Sequence, residues 1–169
     1  MRAAMLVVPL LVLFAAPLAA QPAPDAPVPQ HVAYLLDAAR DGFAAVRGEG
    51  TASSYPIRFS GAQARSEVQV NPGWNVLHRT ILPVAGDRAA ADAAWARMAD
   101  EVARVIPAGW RQTRVAETRH AIWQECEQGR GREVALATSL PFEQPALSLV
   151  VYRYDLPCPA SRPGGGSGR

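Results

Sequence analysis

Hydrophobic and polar positions along this chain change period several times, and each change marks an element. Val32, Leu35, Leu36, Ala39, Phe43 and Val46 recur at helical spacing, with Asp37, Arg40, Asp41 and Arg47 on the other side. The pattern predicts a helix over 31–47, ended by Gly48-Glu49-Gly50. The period then drops to two. Tyr55, Ile57 and Phe59 alternate with Pro56, Arg58 and Ser60 as a half-buried strand, which Pro56 places at a sheet edge. Ala64, Ser66, Val68 and Val70 alternate with Arg65, Glu67 and Gln69. Asn71-Pro72-Gly73 turns the chain, and Trp74, Val76, Leu77, Thr80 and Leu82 bring it back as a strand.

Asp87 can cap a second helix, whose apolar stripe is Ala91, Ala94, Trp95, Met98, Val102 and Val105. Pro107-Ala108-Gly109 stops it. Four strands are predicted near 110–116, 119–126, 132–138 and 146–154. The order α-βββ-α-ββββ specifies an α+β two-layer sandwich, an antiparallel β-sheet with two helices on one face.

The last strand is apolar on both faces. Leu147, Leu149 and Val151 point one way, and Val150, Tyr152 and Tyr154 the other. Trp123, on a nearby strand, is expected to share the second face. Such a strand is either covered on both sides or presents a patch to a partner. Trp123, Tyr152 and Tyr154 therefore form the candidate binding surface.

The ends of the chain differ from its middle. Arg2 precedes an uncharged run from Ala3 to Ala20, with an apolar heart at residues 5–14 and small residues after it. These are the three regions of a secretory signal, so residues 1–20 are expected to be removed. Pro9 and Pro17 interrupt the run and argue against a membrane anchor. No cysteine near the cut offers a lipid attachment, and no later segment approaches membrane-spanning length. Residues 21–30 carry four prolines and read as an extended linker. The Gly-rich tail, 159–169, cannot bury anything. Residues 31–158 make one domain. The chain is thus expected to be periplasmic or secreted. Its Ala, Pro, Gly and Arg richness fits GC-rich bacterial coding.

Every basic residue is arginine, which removes Schiff-base chemistry, a P-loop lysine and a Ser-Lys dyad. A net charge of +2, with both signs interspersed, is too weak for a nucleic-acid footprint. Cys126 and Cys158 are the only cysteines. In a meander the strands before 126 and before 158 run parallel and end at one edge, so a structural disulfide is expected in an oxidising compartment. Two thiolates make only half a zinc site, and the Cys-x-x-Cys redox spacing is absent.

His31, His78 and His120 are more than about 40 residues apart, too far for a local metal pair. His31 falls at the linker and is expected in solvent. His78 and His120 lie in strands, and either could serve as a general base if a nucleophile and a carboxylate met it. Glu125, Glu127 and Glu133 crowd a hairpin with Arg130 and Arg132, which reads as a solvated tip. No cofactor is implied. The pattern favours a non-catalytic module that binds an envelope protein or a small ligand. A small periplasmic hydrolase using His78 or His120 is the alternative.

Overall fold

The first helix does not follow its own periodicity to the end. In the computed structural model, which describes residues 20–48, 53, 55–72, 75–127, 130–139 and 144–154, α1 runs Val28–Ala38. Proline in its first turn costs nothing, because an N–H there lacks a helical partner anyway. The predicted helix over 31–47 is therefore corrected at both ends. Gly42 at φ 72° and Phe43 at φ 63° take left-handed backbone between two short 3₁₀ turns, Ala39–Asp41 and Ala44–Val46. Phe43 and Val46 still reach the core, but by a bend and not by another helical turn.

The proline-rich stretch before α1 also departs from the expected linker. The Arg58 amide donates to the Pro24 carbonyl at 2.7 Å, and residues 23–26 form a turn. Residues 1–19 of the expected signal, and the whole tail 159–169, lie outside the described residues.

Next come β1 (Arg58–Phe59) and β2 (Ala62–Gln63), a two-stranded ribbon turning at Ser60 and Gly61, both with positive φ. The strand predicted over 55–60 is thus not part of the main sheet. Tyr55 and Ile57 are buried as a loop that crosses the core. The six-stranded sheet is built from β3 (Arg65–Asn71), β4 (Asn75–Pro83), β5 (Arg111–Val115), β6 (His120–Glu127), β7 (Arg130–Ser139) and β8 (Ala146–Tyr154). Its order is β3-β4-β8-β7-β6-β5, every neighbour antiparallel. Helix α2 (Arg88–Ala103) connects β4 to β5. Asp87 caps it, accepting from the Ala90 amide at 3.0 Å, which satisfies one of the helix's unpaired first-turn donors. The α+β sandwich with both helices on one face is therefore the observed architecture.

Period-two alternation decides what each face holds. Toward the helices point Val68, His78, Val151, Val134 and Trp123 in one cross-sheet row, and Thr80, Leu149, Leu136 and Ala121 in the next. These side chains meet Val32, Leu35, Trp95, Met98 and Val102 in the core. Trp95 also donates its indole N–H to the Leu136 carbonyl at 3.3 Å, pinning α2 to β7. Each fully buried large apolar side chain stabilises the fold by about 1.5–3 kcal/mol.

Candidate functional site: the helix-free sheet face and a buried histidine cluster

Two places gather the chain's polar chemistry, one on each side of the sheet. The first is inside. His78, on β4, is fully buried on the helix side. Its Nε2 lies 3.2 Å from Ser53 Oγ and its Nδ1 3.3 Å from Thr80 Oγ1. Ser53 is itself saturated: its hydroxyl donates to the Val46 carbonyl at 3.1 Å and accepts from the Tyr55 amide at 3.2 Å. The Tyr55 ring meets His78 edge-on, stacks on Tyr34, and places its hydroxyl against His31 Nδ1.

His31 is thus fully buried at the start of α1, not solvated at a linker. The correction follows from α1 beginning at Val28, which turns His31 inward with Val28, Val32 and Leu35. Burial lowers the His31 pKa, with the Ala26 backbone opposing part of the shift. Burial alone lowers His78 to about 4. Burial also pushes the Tyr55 hydroxyl up, and the neighbouring Tyr34 adds to it.

This cluster resembles a nucleophile–base pair only in composition. A hydroxyl, not a carboxylate, orients His78, and a fully buried imidazole cannot touch a substrate. His120 lies far from it, on the opposite face, in the row Arg65, Ile81, Ser148, Ala137, His120, Val115. The acidic hairpin separates too. Glu125 faces the helix side and pairs with Arg132 at 2.6 Å, while Glu133 faces the other way. The side chain of Glu127 lies outside the described residues.

The second place is the other face of the sheet. Among the described residues every helix and 3₁₀ turn packs on the first face, and Arg153, on that side of β8, donates to the Arg40 carbonyl at 3.0 Å. The helix-free face is written in rows across the strands. The middle one is Glu67, Arg79, Val150, Ala135, Ile122 and Thr113. Beside it runs Gln69, Leu77, Tyr152, Glu133, Gln124 and Arg111. Asn71, Asn75, Tyr154, Gly131 and Cys126 close one end. The row with His120 closes the other, where a depression of about 510 Å³ is lined by Ala62, Gln63, Arg65, Ile81, Pro83 and Ala146.

Tyr152 and Tyr154 stand here as a stacked pair, ring centroids 5.6 Å apart. Trp123 does not join them. It is 2% exposed and points into the core against Val134, so its expected place on this face is corrected. Alternation alone could not choose, because Ile122 and Trp123 are adjacent, both apolar, and must point to opposite faces.

Around the tyrosines lie residues that sequence reasoning did not single out as a group. Glu133 is 7% exposed. Its Oε2 accepts from the Tyr154 hydroxyl at 3.0 Å and from the Gln124 amide. Arg111 donates to the other end of Gln124 at 3.1 Å and so fixes which way that amide points. Burial and the Glu133 charge push the Tyr154 hydroxyl well above its usual range, so it remains a donor. Tyr152 is raised for the same two reasons, with Arg79 opposing.

Fold and site together define a two-layer α+β domain in which, among the described residues, one side of the sheet carries no helix. No family model, curated protein or solved structure matches the chain. Among the described residues no group of acidic, histidine or cysteine side chains is placed to hold a metal ion. No described helix is long and apolar enough to cross a membrane.

Proposed function

We propose that this is an exported, non-catalytic binding module that docks its partner on the helix-free face of the sheet. The observation that carries the reading is the composition of that face. Ile122, Ala135 and Tyr152, all half-buried, surround Val150 and Leu77, which are 6% and 5% exposed, and both described helices lie on the opposite side. An apolar sheet centre with a polar surround is the pattern of an interaction surface. The export part rests on the signal-like sequence of residues 1–20.

The test is affinity capture from native envelope extract, comparing the wild type with a Tyr152→Ser/Tyr154→Ser double variant. Expected is a partner held by the wild type and lost by the variant, with the near-ultraviolet dichroism of the buried Trp95 and Trp123 retained. Loss of that dichroism would show that the tyrosines hold the fold and would withdraw them as a surface.

The Cys126–Cys158 bridge belongs to the same reading. Cys126 is not a free thiol, and Cys158 lies outside the described residues. Support comes from register. Strands β6 and β8 flank β7 as a meander, and Cys126, Gly131 and Tyr154 share one row on the helix-free face. Only a glycine, Gly131, stands between Cys126 and Tyr154 in that row. Non-reducing peptide mapping is expected to yield a linked pair of peptides containing Cys126 and Cys158. Two alkylatable thiols in protein isolated without reductant would end the idea.

A further inference from the structure

Glu133 is out of place electrostatically. It is nearly buried and lies on the helix-free face, yet both of its hydrogen bonds come from neutral donors, Gln124 and Tyr154. Both go to Oε2. Among the described residues Oε1 has no hydrogen-bond partner. The nearest arginines on this face are engaged elsewhere. Arg79 pairs with Glu67 at 3.8 Å, and Arg111 holds Gln124. A carboxylate removed from water without a cation beside it is costly unless something compensates. Here the compensation is partial: two neutral hydrogen bonds on one oxygen.

The setting of that oxygen is specific. Tyr152 of β8 and Gln124 of β6 flank Glu133 in register, and the stacked tyrosines stand beside it. One row away lie Val150, Ala135 and Ile122, with Leu77 beyond Tyr152. An anionic tip next to apolar rows suits a ligand with the reverse order, an alkyl stem ending in a cation. Lysine and arginine side chains have that form, since they lay their methylenes on apolar surface and keep the charge at the end. The Arg111–Gln124–Glu133–Tyr154 chain holds the carboxylate in one orientation before anything arrives, which lowers the ordering cost of binding.

We propose that the helix-free face binds a basic side chain, arginine or lysine, of an extended partner segment, with Glu133 as its counter-charge and the half-buried Ile122, Ala135 and Tyr152 receiving its stem. The proposal rests on the docking reading above and names the chemistry of the partner.

The experiment is a titration of the purified full chain, followed by backbone amide shifts, with two capped five-residue peptides. One has a central arginine and the other a central norleucine. Expected is binding of the arginine peptide alone, with shifts at Glu133, Tyr152, Tyr154 and Gln124. Glu133→Gln should weaken it about tenfold or more. Raising the salt from about 50 to about 500 mM should weaken the wild-type interaction as well, a readout that does not depend on the variant's folding.

Equal binding of the norleucine peptide at these residues would overturn the counter-charge role and leave the docking face standing. Shifts confined to the helix side would overturn both. Failure of the arginine peptide to bind at low salt would overturn the cationic partner, and so would binding that neither Glu133→Gln nor salt weakens.

Discussion

Trp123→Ala is expected to lower the unfolding free energy by about 3–5 kcal/mol, the range for removing a large aromatic from a packed core. The indole is 2% exposed, sits between Val134 and Gln112 in the sheet, and belongs to the same core as the helix side chains. No described strand or helix can collapse into the space without breaking register with β5 and β7. Trp123→Phe should cost much less, because the ring N–H has no hydrogen-bond partner among the described residues to lose. Urea denaturation of both variants measures the two costs. A Trp123→Ala loss no larger than that of Tyr152→Ala would contradict the assignment of these side chains to opposite faces, since Tyr152 is only half buried.

Acid should weaken the domain before its carboxylates titrate. His78 is fully buried with a pKa near 4, against about 6.5 in an unfolded chain. Above pH 6.5 both states hold the ring neutral, and nothing is lost. Between 6.5 and 4 the unfolded state takes up a proton that the folded state refuses, so stability falls as pH falls. The full effect is about 3 kcal/mol, of which about 2 kcal/mol comes between pH 6.5 and pH 5. His31 is lowered by burial too and adds in the same direction. Urea midpoints at pH 7.5, 6 and 5 give the slope, and the His78 ring resonances report its titration directly. A midpoint unchanged from pH 7.5 to 5, or a His78 that titrates near 6.5, would show that the ring is not held as described. Among the described residues neither ring has a carboxylate partner that could reverse the sign: His78 meets Ser53, Thr80, Tyr55 and Phe43, and His31 meets Tyr55.

What was legible in the sequence follows from how many residues report on one choice. β8 was read at its observed limits because apolar side chains recur on both of its faces from Ala146 to Tyr154. The Asp87 cap and the stripe of α2 agree with each other and with the structure. The first helix misled because periodicity records which side chains are buried, not the path between them. Leu36, Ala39, Phe43 and Val46 are all buried, as their spacing requires, but Gly42 and Phe43 reach that burial through left-handed backbone. The face of Trp123 was undecidable for the opposite reason, two adjacent apolar residues in a six-stranded sheet. His31 was missed because a proline-rich stretch reads as linker, when here proline opens the helix that buries it. The candidate surface was legible only in Tyr152 and Tyr154. Glu133 reads locally as one more hairpin charge, and only cross-strand register shows it beside them.

The place of β8 has a consequence for how the polypeptide comes together. The last described strand is the third in the sheet, wedged between β4 and β7 by nine register pairs on each side. Until it is available, the β3–β4 hairpin and the β5–β7 meander have no strand pairing between them, each with a raw inner edge open to wrong pairing. A chain synthesised from its amino terminus therefore cannot close this sheet partway. It stays divided until Ala146–Tyr154 emerges, and the keystone is set only after every other described strand has been made.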